Sequence, residues 1–146
     1  MKFFQEWLPF DIIPYGIDNN SKLIEQARKI FPRDSKNFLL ADFWKISGDL
    51  SGFLDRNNVE ESFDFIYWAV WDNILFRNQK EITTLKNLYN IIKPNGRLIL
   101  GFYKPGSMPD NSDNKKKIPL LIKKLEIDPS ETMENSHENI IIWFDK

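Results

Sequence analysis

The chain has 146 residues, 42% of them hydrophobic and 28% charged, enough for one globular domain with a real core. Its formal net charge of -1 gives no electrostatic reason to expect nucleic acid or an acidic membrane surface as a partner. With no cysteine and one histidine, His137, the sequence excludes disulfides, thiolate metal sites, a cysteine nucleophile and a multi-histidine metal site. No apolar run approaches the roughly 20 residues of a membrane span, the N-terminus does not read as a signal peptide, and the cytoplasm is the expected location. Aromatic residues are abundant at 14%, with 12 Phe and 5 Trp, so several can line a site as well as fill a core.

Residues 2–8, KFFQEWL, read as the last turns of a helix with Phe3, Phe4, Trp7 and Leu8 on one face, ended by Pro9. The organising stretch is residues 10–32, FDIIPYGIDNNSKLIEQARKIFP. Ile12, Ile13, Tyr15 and Ile17 form a short apolar run that stops at Asp18. Leu23, Ile24, Ala27, Ile30 and Phe31 then recur at helical spacing, Asn20 is a good N-cap, Arg28 and Lys29 fill the last turn, and Pro32 stops the helix. A strand that ends in an acid and turns at once into a helix is a unit of a nucleotide-binding α/β sheet, with the carboxylate at the ligand-binding carboxyl end. Two roles fit Asp18: it can accept two hydrogen bonds from a ribose diol, or it can support the helix N-terminus through the helix dipole.

Residues 37–42, NFLLAD, repeat the pattern with a short buried strand running into Asp42, followed by Phe43 and Trp44. An acid beside aromatic rings suits an adenine, whose exocyclic amine donates to the carboxylate; an exposed turn Asp with Phe43 in the core fits equally. Residues 45–62 are a polar connection in which Leu50, Phe53 and Leu54 suggest a short helix. Residues 63–70, FDFIYWAV, are apolar on both faces, as in the middle of a covered parallel sheet, and Trp71, Asp72 and Asn73 form the loop at their carboxyl end. Residues 79–92 predict an amphipathic helix with Ile82, Leu85, Leu88, Tyr89 and Ile92 inward, ended by the KPNG turn, in which Gly96 takes a positive φ. Residues 97–102, RLILGF, are the next strand, with Tyr103 to open its exit loop. Residues 110–117 read as a solvated basic linker and 118–124 as a short helix. Two closing strands are expected at 125–127 and 140–144, with a polar loop at 131–138 that carries an exposed His137.

Taken in order, GIDNNSKLIEQARKIFP, NFLLADF, FDFIYWAVWDNIL and LKNLYNIIKPNGRLILGF resemble the class I S-adenosylmethionine-dependent methyltransferases over roughly residues 16–102. The resemblance implies a Rossmann-like, mostly parallel α/β sheet with helices on both faces and an antiparallel C-terminal strand pair. It implies S-adenosylmethionine as cofactor. Asp18 takes the ribose position with Asn19 beside it, and Asp42 takes the adenine position with Phe43 as its aromatic neighbour. Trp68 and Trp71 line the pocket near the methionine end, where they and Tyr103 can face the sulfonium. The function implied is methyl transfer to a small-molecule or protein acceptor. No general base stands out; Asp72 sits in the right loop. The sequence lacks an Asn-Pro-Pro-aromatic signature, which argues against exocyclic amines of DNA bases as acceptors.

The chain departs from that family in one large respect. Nothing before Phe10 resembles the family's first strand and its glycine-rich loop (acid-x-Gly-x-Gly-x-Gly), which hold the methionine part of the cofactor. Residues 1–146 therefore read as a single, incomplete methyltransferase-like domain, a truncated piece of a longer protein in preference to a decayed or split member. Without that strand, residues 12–17 and 65–69 each present an open edge, to be closed by direct pairing or by a strand from another chain. Two other classes remain: a non-catalytic interaction module, and a fragment of a nicotinamide-dependent oxidoreductase, which also places an acid at Asp18 but whose own glycine fingerprint is missing.

Overall fold

A computed structural model describes residues 11–59, 62–70, 76, 78–102, 112–134 and 140–146, the side chains of 112–115 excepted. The chain forms two compact units, Met1–Val59 and Glu60–Lys146.

In the first unit, β1 (Gly16–Asp18) pairs in parallel with β2 (Phe38–Leu40), joined by α1 (Ser21–Ile30). The strand expected over residues 12–17 is thus reduced to three residues. Pro14 has no N–H to give a ladder, and its buried carbonyl is taken by Asn37 Nδ2 at 3.2 Å. Gly16 is needed for close approach: a Cβ there would stand 2.9 Å from Phe38 Cδ1. α1 starts and stops where the sequence predicts. Asn20 Oδ1 accepts from the Lys22 amide, and the Phe31 amide donates to the Ala27 carbonyl to close the last turn. Arg28 reaches across with Nε and Nη2 to the Phe38 carbonyl, at 3.1 and 2.7 Å, and ties the helix to β2. Of the apolar helix face, only Ile24 is fully buried; Leu23 and Ile30 are half exposed, as is Leu40 in β2, so the expectation of a wholly buried strand 38–40 does not hold. The connection that follows holds more helix than expected, α2 (Phe43–Ile46) and α3 (Leu50–Arg56), with Leu50 and Leu54 buried.

In the second unit, four strands run in the order β3–β4–β6–β5: β3 (Phe63–Val70), β4 (Ile92–Phe102), β6 (Ile140–Asp145) and β5 (Glu131–Glu134). β3 and β4 are parallel, joined through α4 (Gln79–Asn90); β4–β6 and β6–β5 are antiparallel. The sheet is therefore parallel at one end and antiparallel at the C-terminal end, as expected. β4 and β6, each paired on both sides, carry the core: Leu98, Leu100, Phe102, Ile142 and Phe144 have no exposed surface. From α4, Ile82, Leu85 and Leu88 are buried, and Asn78 Oδ1 caps the helix by accepting from the Glu81 amide at 2.9 Å.

Four expectations are corrected in this unit. β3 lies at the end of the described sheet, as expected for residues 65–69 without the family's first strand and not in the middle as its two apolar faces suggested, with Phe65 63% and Tyr67 51% exposed. The KPNG segment is an irregular extension of β4, opposite the register shift between Phe63 and Phe65. Its left-handed residue is Asn95, at φ 66°, not Gly96. Gly96 is required for space, because a Cβ would meet the Asp64 carbonyl oxygen at 2.7 Å. The basic stretch expected as a linker belongs to α5 (Ser112–Leu125), in which Lys117 is buried. Finally, the first closing strand is not 125–127: Leu125 ends α5 fully buried, Glu126 turns left-handed at φ 61°, and β5 forms at 131–134 inside the expected polar loop.

The C-terminus is pinned to the sheet. Arg97 Nε and Nη2 donate to the two carboxylate oxygens of Asp145, and the Arg97 guanidinium stands 5.1 Å over the Trp143 ring. The hydrogen bond from Arg97 is the largest influence and holds the Asp145 carboxyl below its ordinary value of 3.8; desolvation opposes it, and the Ser130 hydroxyl adds a smaller lowering. A lowered folded-state pKa stabilises the fold above the ordinary value, and the contribution is lost as pH falls through the folded value. Asp145→Asn is expected to lower Tm slightly at neutral pH, with the difference shrinking as pH falls below 3.8 and vanishing once it has passed the lower folded value. A Tm difference that persists unchanged into acid would remove the carboxylate from the explanation. The pair is solvent-exposed, so the effect is small.

Candidate functional site

β1 ends at Asp18, in register with Leu40 of β2. The ladder runs one step further, the Ala41 amide donating to the Asp18 carbonyl at 3.0 Å. Asp42 is the next residue, so both acids stand at the carboxyl end of one parallel strand pair. Parallel pairing brings them together: the chain returns through α1 before β2 begins, and both strands leave the sheet in the same direction.

Each carboxylate already has a local task. Asp18 Oδ1 accepts from the Asn20 amide at 2.7 Å and turns the chain into α1. Asp42 repeats the arrangement one strand over: its Oδ1 accepts from the Trp44 amide at 3.1 Å and caps α2, while Oδ2 lies 3.7 Å from Lys45 Nζ. Helix support and ligand contact are therefore compatible at Asp18. One oxygen serves the turn, and Oδ2 has no protein partner among the described residues. Asp18, Asp42 and Phe43 are half-buried and Asn19 is exposed. The Phe43 ring lies 6.3 Å from that of Trp44, tilted by 59°. Such a group offers a ligand two carboxylate acceptors and an aromatic flank. It suits recognition of hydroxyl and amine donors.

Trp68 belongs to the second unit, on β3, two residues before Val70, which is in register with Phe102. It is half-buried, edge-on to Phe76 with ring centroids 6.4 Å apart, and Phe76 is edge-on to Phe102 at 6.2 Å. Phe76 escaped the sequence reading. It is fully buried in a left-handed conformation, φ 53°, and its carbonyl accepts from Lys124 Nζ at 2.9 Å. A bulky residue in that region is a genuine outlier, held because the ring and the carbonyl are both fixed. No sequence signal announces a backbone angle of this kind at Phe. Trp71, Asp72, Asn73, Tyr103 and His137 lie outside the described residues, as does the helix expected at 2–8. Among the described residues, no group of three or more His, Cys, Asp or Glu side chains is placed to hold a metal ion, and no helix is long and apolar enough to cross a membrane.

No protein-family model matches the sequence, and no curated protein matches it. Solved structures do match. The N-methyltransferase NodS from Bradyrhizobium japonicum WM9 aligns with a TM-score of 0.56 at 18% identity, over 89% of this chain and 71% of that one. A TehB-like SAM-dependent methyltransferase from Corynebacterium glutamicum gives a TM-score of 0.56 at 20% identity, over 90% of this chain and 67% of that one. Aeropyrum pernix fibrillarin, in complex with natively bound S-adenosyl-L-methionine, gives 0.53 at 13% identity, over 89% of this chain and 54% of that one. A second NodS structure, in complex with S-adenosyl-L-homocysteine, is spanned by this chain over 64% of its length. The chain has the class I methyltransferase fold: a Rossmann-like α/β architecture with parallel strand pairs and an antiparallel C-terminal end.

Proposed function

We propose that this chain, built on the class I methyltransferase fold, binds S-adenosylmethionine through the carboxyl end of β1 and β2 and serves methyl transfer to a small-molecule or protein acceptor. The observation that carries the reading is the pair Asp18 and Asp42, set at neighbouring strand ends with one carboxylate oxygen of Asp18 still open. Asp18 Oδ2 accepts from a ribose hydroxyl, with Asn19 exposed beside it. Asp42 accepts from the exocyclic amine of the adenine, and Phe43 packs against the base. Trp68 and Trp71 belong to the methionine end in this reading. S-adenosylmethionine supplies an electrophilic methyl group on a sulfonium sulfur. The chain's part is to bind and orient, since in-line transfer depends mainly on positioning.

The test is an NMR titration of the chain with S-adenosylhomocysteine into the millimolar range. The amides of residues 18–20 and 41–44 are expected to shift, and Asp18→Ala is expected to weaken binding by about tenfold or more, as for a lost hydrogen bond to a charged group. Shifts confined to other residues, or an Asp18→Ala chain that binds as well as the wild type, would overturn the assignment. Asp18→Ala also loses the turn to Asn20, so Asp18→Asn, which keeps an acceptor for that amide, separates the two effects.

A further inference from the structure

Within β4, Asn95 stands directly before Gly96. Asparagine followed by glycine is a labile pair, because glycine has no side chain to hinder its own nitrogen. Once deprotonated, the Gly96 nitrogen attacks the Asn95 Cγ. A new C–N bond closes a succinimide ring, the Cγ–Nδ2 bond breaks, and ammonia leaves with the proton. Water then opens the ring at either carbonyl and leaves aspartate or isoaspartate at that position. Asn95 is exposed, and its side chain holds no hydrogen bond among the described residues. Its backbone is fixed. The Asn95 amide donates to the Lys146 carbonyl at 2.8 Å, and the Lys146 amide donates to the Gly96 carbonyl at 3.0 Å. Gly96 is buried, and a Cβ there would stand 2.6 Å from Ile92 Cγ2 and 2.9 Å from the Lys93 carbonyl oxygen. Lys146 is itself anchored, its Nζ donating to the Tyr89 and Asn90 carbonyls at 3.2 and 2.7 Å.

We propose that Asn95 is a deamidation site that the backbone of Lys146 holds shut. This inference is independent of the methyltransferase reading. Ring closure must bring the Asn95 Cγ to the Gly96 nitrogen, draw that nitrogen out of its planar amide and turn the peptide between the two residues. The two hydrogen bonds to Lys146 pin the groups on either side of that peptide and resist the turn. The tight seat of Gly96 leaves it no room to swing. Lys146 is exposed, and exposed backbone hydrogen bonds at the end of a sheet open more readily than those in its core. Deamidation therefore proceeds through that local opening. The step is one-way in structural terms as well. Isoaspartate routes the main chain through its Cβ and lengthens it by one carbon, at a place where even a single added Cβ would meet the Asp64 carbonyl oxygen at 2.7 Å. The modified turn does not dock on Lys146 again.

Peptide mapping by mass spectrometry of the full chain, aged at neutral pH, tests this against a synthetic peptide of residues 90–99. Deamidation at Asn95 is expected to be at least about fivefold slower in the chain than in the peptide, as for two backbone hydrogen bonds that must open first. Lys146→Pro removes the amide donor and keeps the carbonyl, and is expected to speed the reaction about two- to tenfold, as for one such bond. Lys146→Ala keeps both backbone bonds and is expected to stay slower than Lys146→Pro. Hydrogen exchange reads the opening in the wild type itself. The Asn95 and Lys146 amides are expected to exchange sooner than those of Leu98 and Leu100, which have no exposed surface. Lys146→Pro is expected to leave Leu98 and Leu100 protected. The proposal is overturned by a chain that deamidates as fast as the peptide, by a Lys146→Pro rate equal to the wild type, or by Lys146→Ala equal to Lys146→Pro. It is also overturned by Asn95 and Lys146 amides that exchange only with the core, or by a faster Lys146→Pro rate that comes with lost protection at Leu98 and Leu100.

Discussion

Replacing Phe102 by Ala is expected to remove about 3–5 kcal/mol of stability, the usual range for deleting a buried Phe side chain. Phe102 ends β4 and pairs with Val70 on one side and Ile140 on the other, with no exposed surface. Its ring is also one support of Phe76, whose left-handed backbone needs the surrounding packing to persist. The cavity cannot collapse easily, because β4 is held by strands on both sides and the neighbouring Leu100 and Ile142 are already fully buried. Against a total stability of about 5–15 kcal/mol, such a loss leaves little. Urea unfolding followed by tryptophan fluorescence reads it. At a slope of about 1–3 kcal/mol per molar, the midpoint should fall by about 1 M or more. Met133→Ala, at a residue 57% exposed on β5, should stay within about 0.5 kcal/mol of the wild type. Equal losses at the two positions would mean that the core does not sit on β4.

What could be read from the sequence follows from where the physical signal was local. α1 was legible to its caps because Asn20, Arg28, Lys29 and Pro32 act within a few residues of themselves. The acid pair was legible because a strand, an acid and a helix start leave a contiguous trace at both Asp18 and Asp42. The failures were long-range. β5 carries Glu131, Thr132, Met133 and Glu134, all exposed, and its pairing is decided by the Ile140–Glu134 to Trp143–Glu131 register on β6, not by its own alternation. The apolar residues 125–127 looked more like a strand, but Leu125 is buried as the end of a helix. β3 looked central because its residues are apolar on both faces, and composition cannot say whether a neighbour is present. At KPNG, the motif named the turn but not which residue would carry the positive φ. Asn95 can adopt it, and Gly96 was spent on the approach of the Asp64 carbonyl.

The 146-residue chain, purified alone, is expected to bind S-adenosylmethionine weakly, with a dissociation constant between about 10 µM and about 1 mM. In the proposed binding mode, Asp18 Oδ2 and the Asp42 carboxylate, each with its other oxygen holding a local amide, are the acceptors for the sugar and the base. The methionine end, which carries the reacting methyl, needs donors for its carboxylate, and a glycine-rich turn supplies them from the backbone at close approach. The sequence has six glycines, at 16, 48, 52, 96, 101 and 106, and no two are separated by a single residue. Losing about three backbone hydrogen bonds at about 0.5–1.5 kcal/mol each weakens binding by about tenfold to a thousandfold. From a micromolar starting point, that is about 10 µM to about 1 mM, with the proposed contacts at Asp18 and Asp42 retained. Calorimetry on the chain alone gives the first number. Fusing a strand followed by an acid-x-Gly-x-Gly-x-Gly loop ahead of Phe10 gives the second, and the fused chain is expected to bind at least tenfold more tightly. The Asp18→Ala loss should appear in both chains, since the ribose hydroxyls and the methionine carboxylate are separate groups of the ligand with no shared protein partner in this reading, and their contributions should add. A micromolar dissociation constant for the unfused chain would show that its own residues already hold the methionine end, and that the glycine-rich turn is not needed for binding.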